Sequence, residues 1–153
     1  MKLSDMLKSS LILIPLKGNT REEVFQELED HLIKNKFIKK GEPIAQFLLK
    51  REELGSTAVG KAVAIPHCKT NNIEDTLLSV GIKKEGLFFP SPDGEKVKIL
   101  FFVLSPPEKT IDHLQVLSKI SKLIKIPGVI QNLLSATSPK NFMEILKKEE
   151  KKL

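Results

Sequence analysis

Tryptophan and tyrosine are absent from the 153-residue chain, and cysteine occurs once, as Cys68. A lone thiol excludes an intramolecular disulfide framework and any metal site built from several cysteines, and it fits a reducing cytosol. Long apolar runs are missing as well. The longest, Ile99 to Leu104, falls far short of the roughly 18 residues of a membrane-spanning helix. The N-terminal stretch has Lys2 and Lys8 but no continuous apolar segment leading to a small-residue cleavage site, so no secretory leader is expected. What is present is 41% apolar and 29% charged residues. That balance suits a packed core rather than disorder, and the length suits one domain. The expectation is a cytoplasmic protein folded as a single domain over residues 1–153.

Positive charge is in excess, with 25 Lys+Arg against 19 Asp+Glu and a net +6. Such a balance invites a reading as a nucleic-acid binder. The lysines are scattered, however, and many alternate with acids, as in the tail from Lys147 to Lys152. No zinc finger, basic zipper or aromatic-studded RNA-binding strand is present, so no nucleic-acid partner is expected.

The apolar pattern alternates between helical and extended spacing. Leu11 to Leu16 reads as a short buried strand. Thr20 with Glu23 forms a capping-box pattern ahead of Val24, Phe25, Leu28 and Leu32, which predicts a helix from about Arg21 to Lys36. Pro43 opens a second helix that should stop before Gly55. Ala62 to Ile65, Leu77 to Ile82 and Val97 to Leu104 read as strands, the last apolar enough to be central in a sheet. Thr110 is placed as the N-cap of a helix bearing His113, Leu117, Ile120 and Ile124. Ser138 and Pro139 open a final helix. Together these elements predict an α/β domain: a mixed, largely parallel sheet with helices on both faces.

The informative stretch is Arg51 to His67, REELGSTAVGKAVAIPH. Arg51 ends a helix, a Gly-Ser-Thr turn follows, and small residues lead to Ile65-Pro66-His67. Pro66 fixes its own φ and restricts Ile65, which holds His67 in a defined place at a strand's end. Each residue also has a plain structural reading: His67 as an exposed loop residue, Arg51 as a cation at a helix C-terminus, His113 as a satisfied histidine on a core-facing stripe. Together, two imidazoles and a guanidinium suit a phosphoryl group. One His acts as nucleophile, the other donates a hydrogen bond, and the Arg neutralises oxygens. A metal site through His67 and Cys68 is disfavoured because adjacent residues rarely point at one ion. Ser56 or Thr57 as a hydrolase nucleophile lacks a Gly-x-Ser-x-Gly elbow, and no Walker loop follows Gly55.

The segment Leu48 to His67 resembles the active-site region of the EIIA domains of the bacterial phosphoenolpyruvate-dependent sugar phosphotransferase system, in the fructose/mannitol and nitrogen-regulatory branch. That pattern is Arg-Glu-x-x-Gly-Ser-Thr-Gly-Ile-Gly-x-Gly-Ile-Ala-Ile-Pro-His. The likeness continues through Asp93-Gly94, the Val97 to Leu104 strand with Pro106, and His113-Leu114 with Leu117. The resemblance implies a phosphohistidine carrier that accepts a phosphoryl group from phospho-HPr on His67 and passes it to an EIIB component for sugar uptake. Membrane association would be indirect, through EIIB and EIIC. The alternative is a nitrogen-regulatory EIIA whose phosphorylation state controls protein partners. His113 matches the second active-site histidine, which assists transfer, and Arg51 matches the arginine that steadies the phosphate. Neither a metal nor an organic cofactor is implied. Ala58 and Ala62 stand where the common pattern has Gly, and Cys68 where Gly is frequent. A strand conformation with negative φ at both alanines, in which Ala is harmless, is expected.

Overall fold

The computed structural model describes residues 2–153. Its elements are α1 (Leu3–Met6), a short 3-10 turn (Ser9–Leu11), β1 (Ile12–Leu13), α2 (Arg21–Lys34), α3 (Ile44–Glu53), β2 (Ala58–Gly60) and β3 (Val63–Ala64), followed by β4 (His67–Lys69), β5 (Leu77–Leu87), β6 (Val97–Ser105), α4 (Thr110–Leu123), α5 (Val129–Leu134) and α6 (Pro139–Glu150). Strand β6 is the axis. It is buried at every position but Lys98, as its continuous apolar run requires. It pairs with three strands: antiparallel with β5, and parallel with β3 and β4 along successive parts of its length. β1 adds parallel to β5 and β2 antiparallel to β3, which completes a six-stranded mixed sheet. The expected class holds, with three parallel pairings and the most extensive one, β5 to β6, antiparallel.

Helix starts follow local chemistry. The Thr20 hydroxyl accepts the Glu23 amide at 3.1 Å, while the Glu23 carboxylate takes the amide of Asn19 rather than that of Thr20. Ser138 caps α6 through the Asn141 amide at 3.0 Å, with Pro139 in the first turn. Thr110 is not the cap expected of it. Lys109 occupies the N-cap position without a side-chain bond, and Thr110 is the first helical residue. Strand β5 runs on to Leu87, past the expected end at Ile82. Its Lys83 is only 5% exposed, with Nζ donating to Leu16 O, Lys17 O and Asn19 Oδ1. A lysine marks an exposed end in a hydropathy pattern, and here it is inside. In the core, Phe25 meets Phe89 and Phe102 edge-on, each with centroids 6.2 Å apart. At the chain's extremities, both carboxylate oxygens of Glu150 accept amides of α1, from Leu3 at 2.6 Å and Ser4 at 2.8 Å.

The β2–β3 hairpin corrects the expectation for Ala62. Lys61 and Ala62 form its two-residue turn with φ of 57° and 66°, as a type I′ turn demands. Asp93 from the β5–β6 connection accepts the Lys61 amide at 2.8 Å and holds the turn in place. Ala58 is free of such strain, since its φ is not left-handed. Ala62→Gly should therefore stabilise the fold by about 1 kcal/mol or less, the left-handed penalty of Ala partly offset by the entropy of Gly in the unfolded chain. In urea unfolding, the midpoint should rise with no change in slope.

Candidate functional site

The last turn of α3 carries Arg51 and Glu52 in opposite duties. Arg51 Nη1 donates to Gly55 O at 2.9 Å, and its Nε donates to His67 Nε2 at 3.3 Å. Glu52 turns inward, 6% exposed, and accepts both the amide (3.0 Å) and the hydroxyl (2.5 Å) of Thr57. Its buried charge is met by Arg21 Nη1 at 3.8 Å, whose guanidinium lies over the Phe89 ring. The Gly-Ser-Thr turn is thus pinned by a carboxylate that the sequence alone did not single out. That pinning sets the carbonyl to which Arg51 is tethered.

His67 begins strand β4 rather than ending a strand, a correction to the sequence reading. The Val103 amide bonds to Pro66 O at 3.0 Å, and His67 pairs with Val103 in parallel register. Its Nδ1 lies 2.8 Å from Ile65 O. A carbonyl can only accept, so Nδ1 carries the proton and Nε2 presents its lone pair. Burial lowers the imidazole's pKa; the Ile65 carbonyl partly opposes this and the Arg51 charge adds to it. At neutral pH the ring is uncharged, and the lone pair of its unprotonated nitrogen faces a guanidinium.

His113 lies near the start of α4, buried, with its ring centroid 5.4 Å from that of His67 and the planes 60° apart. Because Lys109 is the cap, the His113 amide already bonds to Lys109 O at 3.1 Å. It is not one of the free first-turn donors that would favour an anion. What it offers is its ring. Nδ1 is 2.7 Å from the buried Ser105 hydroxyl, and the pKa is pushed down to about 4, chiefly by burial and further by His67 and Lys69.

The three residues named from sequence come together around one open cavity of about 730 Å³, with Cys68 and Lys69 also in its lining. Lys69 Nζ donates to Thr110 Oγ1 at 2.9 Å, so the hydroxyl expected to cap α4 instead holds a lysine beside the histidines. Burial pushes the Cys68 thiol up to about 12, leaving it protonated and unreactive. Among the described residues no group of three or more His, Cys, Asp or Glu side chains is placed to hold a metal ion. His31 lies outside the cavity lining, its Nε2 2.7 Å from Ser10 O. The sequence reading missed Lys69, Ser105 and an apolar rim in which Leu54 and Leu114 are 85% and 59% exposed. Lys69 was findable, since residues two apart on a strand share a face.

Both site imidazoles have depressed pKa values, so the folded state binds fewer protons than the unfolded chain below the ordinary value of 6.5. Their contribution to stability is complete above that value and is lost as pH falls toward about 4. Between about pH 7 and pH 5.5, where carboxylates remain ionised, the Tm should fall. A His67→Gln, His113→Gln double variant should show a shallower fall over the same range.

Residues 5–149 match the family model described as phosphoenolpyruvate-dependent sugar phosphotransferase system, EIIA 2. The chain is 26% identical over 151 residues to the fructose-specific EIIABC component of Bacillus subtilis; the match takes in 99% of this chain and 24% of that one. It is 30% identical over 146 residues to a nitrogen regulatory protein of Bradyrhizobium diazoefficiens, covering 95% of each. Among solved structures, the nitrogen regulatory protein IIA-Ntr from Neisseria meningitidis superimposes with a TM-score of 0.83 at 27% identity, over 94% of this chain and 98% of that one. The chain belongs to the EIIA 2 family of the phosphoenolpyruvate-dependent sugar phosphotransferase system.

Proposed function

We propose that the chain is a phosphohistidine carrier that accepts a phosphoryl group from phospho-HPr on Nε2 of His67 and passes it to an EIIB component for uptake of a fructose- or mannitol-type sugar. The observation that carries this reading is the unprotonated Nε2 of His67, which accepts from Arg51 Nε while Ile65 O holds the ring through Nδ1 and the His113 ring lies 5.4 Å away, centroid to centroid. In the loading step the Nε2 lone pair forms a bond to phosphorus as the phosphorus–nitrogen bond to the donor's histidine breaks. The electron pair of that bond returns to the donor ring. Arg51 leaves Nε2 for the phosphoryl oxygens as they arrive, still guided by its tether to Gly55 O. His113 supplies a hydrogen bond to the same oxygens. Transfer to EIIB reverses the geometry, with an acceptor nucleophile approaching in line. Little covalent work falls to the protein, so positioning and charge neutralisation carry the catalysis.

Both partners must reach a half-buried nitrogen, which requires them to seat on the surface around it. Leu54 and Leu114 form an apolar rim there, with Lys50 and Lys69 also in the cavity lining. A phosphorylated, anionic partner face suits that combination. The Bacillus relative is an EIIABC component, which supports an EIIB acceptor. The second reading is regulatory, with the phosphorylation state of the same histidine controlling protein partners. It is favoured by the match over 95% of each chain to the Bradyrhizobium nitrogen regulatory protein. A phosphoryl group adds about −1.5 to −2 charges at the cavity mouth, enough to switch a docked surface.

Reconstitution with phosphoenolpyruvate, Enzyme I and HPr should give acid-labile phosphate on the wild type and none on His67→Ala. Undiminished labelling of that variant would sink the assignment. Arg51→Ala should slow transfer roughly 10²-fold. Cys68→Ser should label as wild type does. Onward loss of the label to one of a panel of EIIB domains supports transport. A labelled protein that no EIIB discharges points to the regulatory role.

A further inference from the structure

We propose that Ser105 is a positioning residue that locks His113 in the tautomer bearing its proton on Nε2, so that this ring donates a hydrogen bond to the phosphoryl group on His67. The inference rests on the carrier reading above and deepens it. Ser105 ends strand β6 and has no solvent exposure. Its Oγ lies 2.7 Å from His113 Nδ1, and among the described residues it has no other hydrogen-bond partner. If Nδ1 carried the proton, the hydroxyl would be an acceptor only, and its own hydrogen would be left unpaired in a dry interior. A hydroxyl that donates to Nδ1 leaves nothing unpaired. Nδ1 then holds the lone pair, and the single proton of a neutral imidazole sits on Nε2.

The consequence is a pair of rings in opposite tautomers. Ile65 O draws the proton of His67 to Nδ1 and bares its Nε2, whereas Ser105 draws the lone pair of His113 to Nδ1 and protonates its Nε2. One ring can attack phosphorus; the other can donate to oxygen. Exchanging the tautomer of His113 would turn a lone pair toward the anionic phosphoryl oxygens, a repulsion in place of a bond. The imidazole of His113, depressed to about 4, is uncharged at neutral pH and has no second proton to cover that error. Ser105 is itself held by pairing with Lys69, and its carbonyl accepts the Thr70 amide at 2.9 Å. The strand that places His67 therefore also fixes the hydroxyl that orients His113.

The test is nitrogen-15 NMR of the imidazoles together with the rate of phosphoryl transfer from phospho-HPr. In the wild type at neutral pH, His113 should show a protonated Nε2 and an unprotonated Nδ1, and His67 the reverse. Ser105→Ala should leave His67 in its tautomer, mix the tautomers of His113 and slow transfer about tenfold or more, the scale of one lost hydrogen bond. Ser105→Thr, which keeps the hydroxyl, should restore both. A wild-type His113 protonated on Nδ1 overturns the proposal outright, whatever the variants do. So does a folded Ser105→Ala with an unchanged His113 signature or a wild-type rate. Wild-type protein that takes no phosphate from phospho-HPr refutes the carrier reading instead, and leaves the tautomer measurement to be read separately.

Discussion

The parallel pairing of β4 with β6 is the contact on which the site depends. His67 opens β4 and lies opposite Val103, and the same register sets Lys69 opposite Ser105. Just beyond Ser105 the chain turns at Pro106-Pro107 into α4, which brings His113 back over the end of the same strand pair. Two histidines far apart in sequence thereby come within 5.4 Å, ring to ring. Their separation is set by strand register rather than by flexible loops. A slip of one residue would turn His67 to the other face of the sheet, and Arg51, delivered by a separate helix, would have no partner.

Burial does different work at each group in this site. It lowers the imidazoles, keeping both uncharged at neutral pH, and it raises the Cys68 thiol beside them to about 12. A nucleophilic sulfur next to a labile phosphoryl group would be a rival acceptor; a protonated, half-buried thiol is not. The same apolar surroundings make each remaining polar contact matter more, because an unpaired donor or acceptor has no water to turn to. Hence the density of fixed partners: Ile65 O behind His67, Ser105 behind His113, Gly55 O beneath Arg51.

Much of the fold was legible because its signals are local. The apolar run of β6, the Thr20 and Ser138 caps and the helical spacing of Val24, Phe25 and Leu28 each declare themselves within a few residues. His67, His113 and Arg51 were legible as a set because they match the motif that the chain's resemblance rests on, and the fold brings them around one cavity. What escaped was decided at long range. Ala62 sits in a left-handed turn that Asp93, from a different connection, helps to hold through the neighbouring Lys61 amide. Lys83 is buried because backbone carbonyls of the segment after β1 solvate its ammonium. Thr110 left the capping role to bind Lys69. The short helix Val129–Leu134 follows a left-handed Gly128 and carries too few residues to show a period.

The clasp of Glu150 on the first amides of α1 has an architectural consequence. One carboxylate from the last turn of α6 terminates α1 electrically and mechanically, so the first and last helices leave the fold side by side. A domain whose two ends exit at one point can be threaded into a longer polypeptide with both seams at the same spot, like a bead hung from a single eyelet. In such a chain, linker length on either side, rather than any change within the domain, would govern how often the cavity between its histidines meets a tethered neighbour.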